Sequence, residues 1–242
     1  VTAFRSLLYN LIMWVSVPPF VLVALFTFPL PYPWRYRFIS LWARFHTALA
    51  QHLCGIRYHV EGKEHLPKGA AVLLAKHQST WETIAFQEIF PMQTWVLKHE
   101  LMLIPFFGWG LALLKPIAID RGAGRKAVEQ VIIQGTQRLA EGIWVVIFPE
   151  GTRTAPGHRK RHGIGGAALA AASGFPVVPV AHNAGSFWPR RGFLKRAGTV
   201  RVVIGPAIHT KGLSAEEISK RTENWIEHKM AEIQPMGEAR NA

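Results

Sequence analysis

Apolar positions dominate the chain from Leu7 to Leu30, and no charged residue lies between Arg5 and Arg35. As one helix this segment would be about 36 Å long, against about 30 Å for a bilayer core. Pro18 and Pro19 fall near its middle, where two missing N–H groups interrupt a helical ladder. Each half alone is about 16 Å long, too short to span. The breakers predict two short helices dipping into one leaflet, in preference to one kinked span. The cluster Trp34-Arg35-Tyr36-Arg37 suits a headgroup boundary. Phe38, Leu41, Trp42, Phe45, Leu49 and Leu53 then recur at three- and four-residue spacing, with Arg44, His46 and Gln51 between them. This is an amphipathic helix that either faces a core or lies on a membrane.

After Cys54 short runs of Val, Ile and Leu alternate with longer helical patterns. Strands are expected at Ile56–Val60, Ala71–Ala75, Thr94–Leu97, Pro116–Ile119, Ile143–Phe148, Val177–Ala181 and Val200–Ile204. Helices are expected near Trp81–Phe90, Arg125–Ala140, Gly165–Ser173 and Ala215–Ile233. Such alternation predicts an α/β fold, a central mixed and largely parallel sheet flanked by helices. Residues 1–54 read as membrane-anchoring helices, a helical hairpin, and residues 55–242 as the α/β domain. Strand order is not legible at this level.

Composition narrows the classes. Lys and Arg number 28 against 15 Asp and Glu, a net charge of +13, yet 49% of residues are hydrophobic. Disordered basic tails are poor in such residues, so this chain has a packed core. Cys54 is the sole cysteine and Asp120 the sole aspartate. That excludes internal disulfides, multi-cysteine zinc sites and aspartate clusters for metal ions. No acidic residue occurs between Glu150 and Glu216, a stretch holding Arg153, Arg159, Lys160, Arg161, Arg190 and Arg191 among its cations. An anionic partner, lipid or nucleic acid, fits that stretch better than a merely solvated face.

Three places carry candidate chemistry. His77 follows the strand Ala71–Ala75, and Glu82 lies five residues on, in the first turn of the next helix. Its carboxylate is placed to hold one ring nitrogen and leave the other free to take a proton. A helix cap by Ser79 or Thr80, with Glu82 as its box partner, uses the same residues. Phe148-Pro149-Glu150-Gly151-Thr152-Arg153 follows the most hydrophobic strand pattern; glycine allows close backbone approach and arginine matches phosphate oxygens. A turn with an exposed arginine is the plainer reading. Ile119-Asp120-Arg121 precedes Gly122-Ala123-Gly124-Arg125-Lys126-Ala127, a weak match to a dinucleotide fingerprint and a better one to an anion site. No G-x-S-x-G, H-E-x-x-H or P-loop pattern occurs, and His158 and His162 lie in a basic run without a carboxylate.

Taken in order, His77 with an acid five residues on, Arg121, Glu150-Gly151-Thr152-Arg153 and Val178-Pro179-Val180 resemble the four blocks of the glycerolipid acyltransferase family, over roughly residues 56 to 208. Lys98 matches a basic position between the first two blocks. The family's first block is H-x4-D; here it is H-x4-E, which keeps the charge but leaves the acceptor open. The resemblance implies acyl transfer from a thioester, on coenzyme A or acyl carrier protein, to the sn-2 hydroxyl of 1-acyl-sn-glycerol-3-phosphate, giving phosphatidic acid. His77 would be general base, oriented by Glu82. Lys98, Arg121, Arg153, Gly151 and Thr152 would form the phosphate site, with Glu150 organising the arginines or a glycerol hydroxyl. Val178, Pro179 and Val180 would belong to the hydrophobic, acyl-binding part. The partners implied are membrane lipids and the thioester co-substrate, with no other cofactor, no metal and no nucleic acid. The implied location is the bacterial inner membrane, with the catalytic domain on its cytoplasmic face. Another lyso-lipid acceptor, such as a lyso-ornithine lipid or glycolipid, and a non-catalytic basic surface-binding protein are the alternatives.

Overall fold

The computed structural model describes residues 1–234. Seven strands form one sheet: β1 (Ile56–Glu61), β2 (Val72–Ala75), β3 (Gln93–Lys98), β4 (Ile117–Ile119), β5 (Trp144–Ile147), β6 (Val177–His182) and β7 (Gly198–Ile204). Their order is β1-β7-β6-β2-β5-β3-β4, and every pairing is parallel except the antiparallel β6–β7. Strands β2, β5 and β6 are buried along their whole length, which explains why they read as unbroken apolar runs rather than alternating ones. Each fully buried Val or Leu there contributes about 1.5–3 kcal/mol.

The expected helices are present as α3 (Trp81–Ile89), α5 (Arg125–Ala140), α6 (Gly165–Ser173) and α7 (Ala215–Ile233); a short α4 (Phe107–Ala112) adds to them. Helices α5, α6 and α7 pack on one another, and α2 (Tyr32–Cys54) packs on α3. At the α5–α6 crossing a Cβ on Gly135 would come within 2.5 Å of Leu169 Cδ2, so only glycine permits that approach. Helix α7 begins with a capping box, Ser214 with Glu217, worth about 1 kcal/mol. It buries Ile218, Ile226, Met230 and Ile233 on one stripe, against β6 and α6.

The amino-terminal region departs from the sequence expectation. Helix α1 runs unbroken from Thr2 to Leu25 through Pro18 and Pro19. The reversal lies instead at Phe26–Pro31, and the second arm of the hairpin is the amphipathic helix α2. Proline in a helix interior costs about 3 kcal/mol. Lateral contacts on both sides of the pair offset that cost. The Ser16 hydroxyl accepts from Trp42 Nε1 at 3.0 Å and pairs with His46 Nε2 at 3.0 Å, while it donates to the Met13 carbonyl at 3.1 Å. Phe20 stacks on Phe38 at 5.5 Å, and Tyr9 Oη donates to the His46 carbonyl at 3.3 Å. Burial holds His46 neutral, with its pKa lowered to about 4, so the packed ring carries no uncompensated charge.

The other face of α1 is apolar and open: Phe4, Leu7, Leu11, Trp14 and Val15 are exposed, as are Trp34, Leu41 and Phe45 on α2. By length and composition α1 could cross a membrane. Yet it is fastened to the α/β body near both ends. Asn10 Oδ1 accepts from Lys195 Nζ at 2.7 Å and Ser6 Oγ from the Lys195 N–H at 2.9 Å, while Val21 packs on Gly110 of α4.

Ser16→Ala removes the acceptor shared by Trp42 and His46. It should cost about 1–3 kcal/mol, read as an apparent unfolding midpoint lower by about 2–4 °C per kcal/mol. An unchanged midpoint in detergent would show that the hydroxyl does not hold the proline-containing helix.

Candidate active site

Strand β2 is the central strand, with β5 on one side and β6 on the other. Because β2 to β6 all run parallel, their carboxyl ends share one edge, the usual place for ligands in open α/β sheets. His77 leaves the end of β2, Phe148 to Arg153 the end of β5, Arg121 the end of β4, Lys98 the end of β3 and His182 the end of β6.

The His77 loop is held at nearly every polar main-chain atom. The Lys76 N–H donates to the Val180 carbonyl at 3.0 Å, and the His77 N–H donates to Glu150 Oε2 at 2.7 Å. The His77 carbonyl accepts from the Thr154 N–H at 2.8 Å and the Thr154 hydroxyl at 3.1 Å. The Ala184 N–H donates to His182 Nδ1 at 3.3 Å, which leaves the proton on Nε2; that N–H donates to the Lys76 carbonyl at 2.7 Å. Burial keeps His182 neutral by pushing its pKa down.

Glu82 is fully buried, and its Oε1 gathers three donors: His77 Nδ1 at 2.9 Å, the Gln78 N–H at 2.9 Å and the Ser79 N–H at 2.8 Å. Burial opposes ionisation, but the hydrogen bonds from His77 and the Ser79 N–H favour it, and the Glu82 carboxyl lies below the usual carboxylate range. The ring of His77 lies flat on Phe148, centroids 4.0 Å apart and planes 14° apart. In the neutral ring an ionised acceptor on Nδ1 places the proton there, so Nε2 is the nitrogen left to accept one. Of the cap weighed at this position only part forms: Thr80 is the N-cap of α3 without a side-chain cap bond, the Ser79 hydroxyl accepts from the Trp81 N–H at 3.0 Å, and Glu82 accepts from the Ser79 N–H with the same oxygen that holds the imidazole.

At the rim, Gly151 adopts a left-handed φ of 68°, where a side chain would be strained, and turns the chain toward Thr152 and Arg153. Arg121 donates to the Gly151 carbonyl, and Arg190 Nη1 donates to the Arg153 carbonyl at 3.1 Å. Arg121, Arg153 and Arg190 thus converge on one loop. None of the three has a carboxylate partner among the described residues. Burial lowers the pKa of Arg153, with Glu82 opposing and Arg190 adding to the shift, but a guanidinium stays charged. The 3-10 turn Arg121–Ala123 is capped by Asp120, whose Oδ1 accepts from the Gly122 N–H at 2.8 Å.

Two groups fall elsewhere than the sequence suggested. Glu150 faces inward, 2% exposed, and binds Lys76, Thr154 and the His77 main chain instead of lining a phosphate site. Val178, Pro179 and Val180 are buried core residues of β6, paired with Leu73, Leu74 and Ala75, and offer no open acyl surface. Lys98 is exposed at the end of β3 and paired with Glu100. Lys76, Thr154, His182 and Glu227 were not singled out by sequence. Lys76 alone left a signal, a lysine directly after an unbroken buried strand. His162, which the sequence sets among cations, is folded beside Glu150 and Glu227, their ligand-type atoms within 4.8 Å of one another.

A family model described as an acyltransferase matches residues 57–183. The 1-acyl-sn-glycerol-3-phosphate acyltransferase of Pseudomonas aeruginosa is 46% identical over 241 residues, covering 98% of this chain and 94% of that protein. The enzyme of the same name from Saccharomyces cerevisiae is 27% identical, covering 76% of this chain and 62% of that protein. The crystal structure of the 1-acyl-sn-glycerophosphate acyltransferase PlsC from Thermotoga maritima shares the fold at a TM-score of 0.81, with 22% identity and coverage of 97% and 96% of the two chains. The matched segment spans the His77, Arg121 and Glu150–Arg153 loops and ends just beyond β6, and this chain belongs to the acyltransferase family.

Proposed function

We propose that the chain transfers a fatty acyl group from an acyl thioester, on coenzyme A or acyl carrier protein, to the sn-2 hydroxyl of 1-acyl-sn-glycerol-3-phosphate, giving phosphatidic acid. The observation that carries this reading is the 2.9 Å bond from His77 Nδ1 to a buried, ionised Glu82, on a sheet edge shared with arginines that lack carboxylate partners. The 46% identity to the Pseudomonas aeruginosa enzyme supports the same acceptor.

In this reading His77 Nε2 takes the hydroxyl proton as the alcohol oxygen attacks the thioester carbonyl carbon. The tetrahedral intermediate collapses with cleavage of the C–S bond, and the imidazolium returns the proton to the leaving thiolate. Glu82 stabilises the transient imidazolium and fixes the tautomer. Arg121, Arg153 and Arg190 bind the acceptor phosphate; a guanidinium fork matches phosphate oxygens. No cofactor or metal enters the scheme.

Acceptor and product are bilayer lipids, so the site must work at the headgroup plane. The open apolar face of α1 and α2, with Leu103, Ile104 and Trp109 nearby on the segment before and within α4, suits insertion into one leaflet. The fastening of α1 to the body near both ends supports a monotopic seat over a span. A net charge of +13 favours an anionic surface, and the cytoplasmic face of a bacterial inner membrane is the location proposed.

Thiol release from acyl-coenzyme A and acyl carrier protein, with and without lysophosphatidate in mixed micelles, tests the function. Acceptor-dependent release is expected, falling by about a hundredfold or more in His77→Ala; a folded variant with undiminished turnover rules out the base. Glu82→Asp should retain substantial turnover and Glu82→Gln should lose most of it, and equal activity of Gln and wild type would exclude the orienting carboxylate. Arg153→Ala should raise the KM for lysophosphatidate more than it affects a phosphate-free acceptor. Equal effects on both acceptors would remove Arg153 from the phosphate site.

A further inference from the structure

Lys76 separates the buried strand β2 from His77, and its ammonium is itself buried, 1% exposed. Nζ contacts Glu150 Oε1 at 2.7 Å and Glu227 Oε1 of α7 at 2.8 Å, with the His158 carbonyl at 3.5 Å. The other oxygen of Glu150 accepts the His77 N–H at 2.7 Å. Glu150 is therefore shared, one oxygen for the ammonium and one for the main chain of the base. The second carboxylate, Glu227, also holds Arg159 Nε at 3.1 Å, so the far end of the cluster ties α7 to the basic loop after Arg153.

A buried carboxylate without a counter-charge takes up a proton, and a neutral acid is a weaker acceptor than a carboxylate. We propose that Lys76 is a positioning residue of the acyl-transfer site: its ammonium keeps Glu150 ionised, and the ionised Glu150 holds the His77 main chain where Glu82 and Phe148 can orient the ring. This role rests on His77 acting as the base.

The charged and titratable groups around Glu150 come from every neighbouring element. They are Lys76 and His77 after β2, His162 on the loop after Arg153 and Glu227 on α7, with Arg159 on Glu227, Glu223 facing His162, and His182 and Glu82 facing Lys76 and His77 one step further out. Burial keeps His162 and His182 neutral by lowering their pKa values. Lys76 is thus the one cation in direct contact with the Glu150 carboxylate among the described residues. Burial already pushes the Glu150 carboxyl above its ordinary value, against the pull of Lys76 and the His77 N–H. Taking the ammonium away moves it further up. The required form is the ionised one, so activity then fails as pH falls through that higher value.

The experiment is the pH profile of kcat and KM in mixed micelles for wild type, Lys76→Met, Lys76→Met/Glu150→Gln and Glu227→Gln. Lys76→Met should lose about tenfold or more in kcat near neutral pH and recover part of it at alkaline pH, with KM for lysophosphatidate little changed. In the double variant the amide oxygen introduced by Glu150→Gln accepts the His77 N–H without needing charge. It should turn over faster than Lys76→Met and lose the alkaline recovery. Glu227→Gln removes a negative charge and leaves the Lys76–Glu150 pair, so its acid limb should not move upward. A Lys76→Met profile superimposable on wild type, or a double variant slower than the single one, would overturn the role. So would an equal upward shift in Glu227→Gln, since that marks general loosening.

Two controls keep the outcome readable. If Lys76→Met does not fold, a folded and active double variant still supports the proposal, and a double variant that also fails overturns it. Isotope-edited infrared difference spectra against Glu150→Gln report the carboxyl directly: a protonated C=O band at neutral pH is expected in Lys76→Met and not in wild type. Its absence from Lys76→Met refutes the proposal independently of turnover. A wild-type protein without acceptor-dependent thiol release fails the functional reading instead.

Discussion

One carboxylate oxygen governs the shape of the site. Glu82 Oε1 accepts from His77 Nδ1 and from the main-chain N–H groups of Gln78 and Ser79, so strand end, loop and first turn of α3 close on a single point. Water does not reach the fully buried oxygen, so loss of any one donor would leave its charge less well satisfied. Trp81, buried beside it, anchors the same helical turn in the core. The extra methylene of glutamate, relative to the family's aspartate, is accommodated with all three bonds intact. The loop is thereby rigid before any substrate arrives, which is what a base acting on a weakly acidic hydroxyl requires.

Charge is divided into two populations by depth. Beneath the loop, Lys76 holds Glu150 and Glu227 within hydrogen-bonding distance, Arg159 balances the second carboxylate, and the worth of the cluster is geometric. A buried ion pair adds little net stability over apolar packing, but it tolerates few arrangements. At the rim, Arg121 and Arg190 are held by the Gly151 and Arg153 main-chain carbonyls, which position a guanidinium without cancelling its charge, and Arg153 belongs to the same loop. In the proposed reaction an anionic headgroup meets the second population and not the first. Glu150, which the family resemblance set beside the phosphate site to organise the arginines or a glycerol hydroxyl, belongs below because its neighbour in space is Lys76.

The helical hairpin shows the same logic in an apolar setting. Its inner faces carry a small polar lock at Ser16, Trp42 and His46, and its outer face is largely apolar, with Arg5, Arg37 and Arg44 exposed among the apolar side chains. The lock and the Phe20–Phe38 stack hold α1 straight where proline chemistry alone predicts a break. Lys195, tied to Asn10 and lying 4.6 Å from the centroid of the Trp188 ring, fastens the hairpin to the sheet domain. The apolar face of the hairpin and the carboxyl edge of the sheet are thus joined by direct side-chain contacts in one folded unit.

Sequence by itself determined the α/β class, all seven strands, the four principal sheet-domain helices and the order of the chemical blocks. Period and apolar run length are local properties, and His77 with Glu82 is a local pair as well, five residues apart on one strand–helix turn. Strand order, the unbroken course of α1 and the inward turn of Glu150 were decided by tertiary structure. Each depends on partners far along the chain: β2 on β5 and β6, Ser16 on His46, and His77 on Glu150, with Lys76 reaching Glu227. No local pattern encodes such pairings, because the free energy that selects them comes from burying one group against another, and that exists only once the chain has folded.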